Sequence, residues 1–79
     1  MQDLLHYIIE SITGSTDFEI TVDENETGYV NMTVLADPSI IGIIIGKEGK
    51  IVKAIRNILK VRAIIDKKAV TLRVEEKTS

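Results

Sequence analysis

Residues 40–60 read IIGIIIGKEGKIVKAIRNILK, and the fold turns on what interrupts this apolar run. Gly46 and Gly49 stand three apart, which stops one helix and lets the backbone turn tightly before the next. Upstream, Asp37-Pro38 marks a helix start, because Asp can cap and Pro at the first position loses no needed hydrogen bond. That short helix carries Ile40, Ile41, Ile44 and Ile45 on one side. Downstream, a longer helix is predicted from about Lys50 to Ile65. Ile51, Val52, Ala54, Ile55, Ile58 and Leu59 share one arc of it, and Lys53, Arg56 and Lys60 cluster on another, with Lys50 near the edge.

Working outward, Leu4, Leu5, Ile8, Ile9 and Ile12 recur at helical spacing and Gly14 follows as a stop. Phe18, Ile20 and Val22 alternate with polar residues, as do Val30, Met32 and Val34 after the turn-forming stretch DENETG, which predicts an antiparallel hairpin. Asp66 to Lys68 make a turn, and Val70, Leu72 and Val74 alternate as a last strand. The order is helix, strand, strand, helix, helix, strand (α-β-β-α-α-β), an α+β domain with helices packed on one face of a three-stranded sheet. The crossover from the second strand to the third is long enough for parallel pairing, so the sheet is expected to be mixed.

Seventy-nine residues, 44% hydrophobic and 28% charged, suffice for one small domain. We expect it to span residues 1–75, with 76–79 a frayed tail. Such a domain has few apolar side chains to spare, which disfavours a deep enclosed active site. With no cysteine, disulfide frameworks, thiolate metal sites and cysteine nucleophiles are excluded. The run IIGIII is far shorter than the roughly 20 residues that span a bilayer, and the N-terminus is acidic, unlike a signal peptide; a cytoplasmic location is expected. The net charge of −2 conceals a segregation. Up to Ala36 the chain has seven acids and no Lys or Arg; beyond it lie all ten basic residues and five acids, so one part carries −7 and the other +5. Such segregation fits a basic working face with an anionic partner and the acidic part turned elsewhere, or else two solvated faces.

The glycine loop, the start of the following helix, Lys47 and Lys50 together favour an approaching phosphate. A nucleotide-binding P-loop needs GxxxxGK followed by Ser or Thr, whereas GIIIGKE from Gly42 is one residue short and has Glu48 where the hydroxyl belongs. The dinucleotide pattern GxGxxG also fails. No cofactor is expected, and polynucleotide phosphate remains.

The segment IIGKEGKIVKAI resembles the signature of KH RNA-binding domains: an apolar pair, GxxG, then apolar residues three and six after the second glycine, here Val52 and Ile55. The element order is similar to the type II KH arrangement, and the likeness covers almost the whole chain. Its size resembles the small bacterial single-KH proteins of the KhpA family. The resemblance implies an RNA chaperone or post-transcriptional regulator binding short single-stranded RNA, as a homodimer or with a KhpB-like KH partner. It implies RNA-binding roles for Gly46, Lys47, Glu48, Gly49, Lys50, Lys53 and Arg56. An apolar groove of Ile41, Gly42, Ile44, Ile45 and Val52 would receive bases, although Ile44, Ile45 and Val52 equally suit the core, or both at a groove edge, and Gly42 a helix glycine or packing gap. Single-stranded DNA stays open, since the loop does not read a 2′-hydroxyl. Glu48 departs from a uniformly basic loop, and Ile43 is apolar where many relatives carry charge, so it could meet a base, a partner or the core.

Enzymatic readings find no support. His6 is the lone histidine, in the first helix, and no nucleophile, base and orienting group can be assembled. Asp23, Glu24 and Glu26 could attract a cation, but a three-acid turn is ordinarily solvated, and no metal site is expected. The alternative function is a protein-interaction adaptor whose fold serves for assembly with another KH protein.

Overall fold

The computed structural model describes residues 1–77. In chain order the elements are α1 (Gln2–Thr13), β1 (Phe18–Glu24), β2 (Tyr29–Ala36), α2 (Pro38–Ile45), a 3₁₀ turn at Lys47–Gly49, α3 (Lys50–Ile65) and β3 (Ala69–Glu76). The expected order is therefore observed. The sheet runs β1-β2-β3, with β1 antiparallel to β2 and β3 parallel to it. With β2 in the centre, β3 is an edge strand.

The central strand explains why the helices share one face. Along β2, Val30, Met32, Val34 and Ala36 are all buried, the period-two pattern of a strand with one covered side. Leu5 and Ile9 of α1, Ile41 and Ile44 of α2, and Val52, Ile55 and Leu59 of α3 close over them. Each fully buried aliphatic side chain contributes about 1.5–3 kcal/mol. No polar side chain is buried among the described residues.

Several sequence expectations are corrected. Ala54 and Ile58, expected to share one apolar arc of α3 with Val52, Ile55 and Leu59, are exposed; the helix rests on the sheet along the narrower line of Val52, Ile55, Leu59 and Ala63. Val22 is exposed because β1 is the other edge strand and the helical layer leaves its far end uncovered. Asp37 sits at the cap position of α2 without a side-chain cap hydrogen bond. Glu76, assigned to a frayed tail, belongs to β3 opposite Ala36, and the Lys77 N–H donates to the Ala36 carbonyl at 2.8 Å. The remainder of that tail, residues 78 and 79, lies outside the described residues.

The end of the sheet away from the glycine loop is tied by polar contacts. Asn25 Oδ1 accepts from the Thr27 and Tyr29 N–H groups, each at 3.0 Å, which fixes the hairpin turn. The Ala69 N–H donates to the Gly28 carbonyl at 3.1 Å. Lys68 Nζ pairs with Glu24, and that hydrogen bond, then the carboxylate's charge, raises the Lys68 amine above its ordinary pKa. The acids of this turn are thus partly used in holding it. Among the described residues, no group of three or more His, Cys, Asp or Glu is placed to hold a metal ion, and no helix is long and apolar enough to cross a membrane.

Candidate nucleic-acid interface

The loop geometry is set by positive φ at three successive corners. Gly46 has φ 71° and ψ −179°, Glu48 φ 58° and ψ 24°, and Gly49 φ 73° and ψ 14°. Gly46 is required twice over: a Cβ there would lie 2.5 Å from Ile51 Cγ1 and 2.8 Å from Ile51 Cβ. The Gly46 N–H closes α2 by donating to the Gly42 carbonyl at 3.0 Å, and the Gly49 N–H donates to the Gly46 carbonyl at 3.2 Å. The side chains of Lys47 and Glu48 consequently project into solvent. The loop feeds the positive end of the 16-residue α3.

From the loop, the basic track continues along α3. Lys47, Lys50, Lys53, Arg56 and Lys60 are all exposed, and none takes part in an ion pair or side-chain hydrogen bond among the described residues. The carboxylates that do pair with cations do so elsewhere: Asp66 with Arg62 at 3.2 Å, Glu24 with Lys68, and Glu19 with Lys77 at 3.6 Å. The folded chain leaves this track electrostatically open.

Beside the track lies a cavity of about 360 Å³ between α3 and β3. Helix α3 contributes Lys53, Arg56, Asn57, Leu59 and Lys60, and β3 contributes Val70, Thr71 and Leu72. No carboxylate lines it. Cations along one wall and aliphatic groups below suit an anionic chain with planar, partly apolar bases. The edge position of β3 adds backbone groups left unpaired by the sheet.

The expected site residues divide into two sets. Gly46, Lys47, Glu48, Gly49 and Lys50 form one contiguous turn, and Lys53 and Arg56 extend it into the cavity wall. The expected apolar groove is not assembled. Ile41, Ile44 and Val52 are core residues, 6%, 1% and 8% exposed, because α2 and the first turn of α3 face the sheet with them. Gly42, Ile43 and Ile45 lie on the outer side of α2. The concave surface is instead on the β3 side, where Asn57, Val70, Thr71 and Leu72 are not expected from sequence and Lys60, expected only as a member of the cationic cluster, joins them. The signal available for them was the parallel crossover, which puts β3 at an edge beside α3.

Helix α3 has a third surface. Ile58, Val61, Ile64 and Ile65 are 46%, 60%, 69% and 68% exposed, a concentration of apolar area unusual for a solvated helix.

A family model described as KhpA/KhpB, KH domain, matches residues 2–77. No curated protein matches the chain. Among solved structures, a crystal structure of Aquifex aeolicus Era bound to GDP.AlF4- is similar, with a TM-score of 0.62 at 20% sequence identity. The match covers 96% of this chain and 31% of that one, and at such identity it shows the fold alone.

Proposed function

Because the chain belongs to the KhpA/KhpB KH-domain family, an RNA-binding family, we propose that it binds short single-stranded RNA through the Gly46–Gly49 loop and the α3/β3 cavity, as a non-enzymatic RNA chaperone or post-transcriptional regulator. The observation that carries this reading is the run of unpaired cations from Lys47 to Lys60, bordering a cavity without a carboxylate. Phosphates would be positioned by Lys47, Lys50, Lys53, Arg56 and Lys60, and the glycines allow close backbone approach. Bases would rest against the aliphatic floor, with Asn57 offering an amide to their edges.

One such unit has a small contact surface, and joining two raises avidity without new contacts. The exposed stripe on α3 supports assembly with a second copy or with a KhpB-like KH protein. The same stripe favours the second reading, an adaptor in which assembly matters more than RNA.

The test is the double variant Lys47→Asp with Glu48→Asp, both exposed, Asp being tolerated at positive φ. Fluorescence anisotropy with a labelled eight-nucleotide single strand should register at least about a tenfold loss of affinity, with an unchanged melting temperature. Undiminished binding by the folded variant contradicts entry of RNA at the loop, and no binding of the strand by the unaltered chain favours the adaptor.

A further inference from the structure

Glu48 is the residue of the glycine loop whose charge a phosphate contact does not use. It is the sole carboxylate between Gly46 and Lys50, and it is exposed. Its φ of 58° is a left-handed backbone that disfavours any residue with a Cβ, so the position combines backbone strain with the sign of charge that phosphate repels. Neither cost is recovered within the chain. The residues three and four away on either side are Ile44, Ile45, Ile51 and Val52, none of which can pair with a carboxylate. Among the described residues Glu48 enters no ion pair and no side-chain hydrogen bond, whereas Glu19, Glu24 and Asp66 each pair with a Lys or Arg.

What the carboxylate meets follows from its neighbours. Lys47 and Lys50 flank it, both exposed and unpaired, so a strand whose phosphates they hold passes Glu48 along its sugar-phosphate backbone. An ionised carboxylate accepts hydrogen bonds and donates none. Along a polynucleotide backbone the phosphate and ether oxygens also only accept. The ribose 2′-hydroxyl is the one donor there, and deoxyribose lacks it. The donors on the bases are directed to the cavity between α3 and β3, whose lining begins at Lys53 and contains no carboxylate.

We infer that Glu48 accepts a hydrogen bond from a ribose 2′-hydroxyl of the strand held at Lys47 and Lys50, and that the loop thereby selects RNA over single-stranded DNA. This rests on the RNA reading of the loop and names the sugar that the loop takes. Glycine spacing alone reads no 2′-hydroxyl; the carboxylate between the glycines does. RNA gains a charge-assisted hydrogen bond that offsets repulsion from its phosphates, whereas DNA meets the repulsion alone. Glu48 is thus a specificity-determining residue, and its sign lowers affinity for every backbone without a donor.

Fluorescence anisotropy of the full chain with three labelled eight-nucleotide uridylates tests it. One strand is ribo, one deoxyribo and one 2′-fluoro, the last keeping a ribose-like pucker with no donor at the 2′ position. The wild-type chain should bind the ribo strand about fivefold more tightly than the deoxyribo strand, and the 2′-fluoro strand within about twofold of the deoxyribo one. Glu48→Ala changes an exposed side chain on a backbone equally strained for either residue. It should bind the deoxyribo strand at least as tightly as the wild type does, and its preference for the ribo strand should fall within about twofold. Equal wild-type affinity for ribo and deoxyribo strands, 2′-fluoro binding that matches the ribo strand, or a preference undiminished in Glu48→Ala overturns the inference and leaves strand entry at the loop standing. Failure of the wild-type chain to bind any of the three strands overturns both.

Discussion

Gly46 is where the functional loop and the core meet in one residue. At φ 71° and ψ −179° its backbone region is essentially open to glycine alone and costs a substituted side chain about 1–3 kcal/mol, and the Cβ would also strike Ile51 at Cγ1 and at Cβ, the latter an atom that cannot move without the helix. Gly49 has a similar φ of 73° but open space where its Cβ would be. The two glycines therefore separate on substitution. Gly46→Ala should lower stability by about 2–4 kcal/mol and Gly49→Ala by about 1–2 kcal/mol, measured by denaturant melts. Equal costs, or the reverse order, would contradict the assigned packing. Glu48, at φ 58° without being glycine, shows that the loop tolerates one long side chain in the left-handed region when it points to solvent. The glycine pair was legible from spacing, whereas the distinct reasons for each glycine were not, since the Ile51 contact depends on the angle between α2 and α3.

At the scale of the element, α3 carries three surfaces on 16 residues. Val52, Ile55, Leu59 and Ala63 face the core, the cations face the cavity, and Ala54, Ile58, Val61 and Ile65 face outward. Helical periodicity finds apolar arcs but does not tell a core-facing arc from one left for a partner. For that reason the single apolar arc expected of α3 joins Ala54 and Ile58 to Val52, Ile55 and Leu59, and the expected groove combines α2 residues with Val52. The cationic arc was legible because charges at three- and four-residue spacing need no tertiary contact to be recognised. Its contribution is measurable as counterion release. Replacing Lys53, Arg56 and Lys60 together by alanine should reduce the slope of log affinity against log salt concentration by about 2, at about 0.7 per single-strand phosphate. The loss should be similar for every sequence, because phosphate contacts position a strand without reading it. An unchanged slope would remove α3 from the interface.

For the whole molecule, the segregated charge acquires a geometry. The acidic part supplies α1, β1 and β2, and the basic part supplies the loop, α3 and β3. The parallel crossover carries β3 to the sheet edge on the far side of β2 from the acidic β1, so the concave basic surface and the acidic strand occupy opposite edges. An overall charge of −2 is thereby compatible with an anionic ligand. Element order and mixed pairing followed from residue pattern and connection length; the cavity did not, because it exists only after β3 has chosen its side. The central claim is that RNA enters along the loop, α3 and β3. Amide chemical-shift mapping of the isotopically labelled chain during titration with an eight-nucleotide single strand tests it most directly. Shifts concentrated at residues 46–60 and 70–72, with α1 and β1 unmoved, are the predicted result; shifts centred on the acidic edge, or none at saturating RNA, would contradict it.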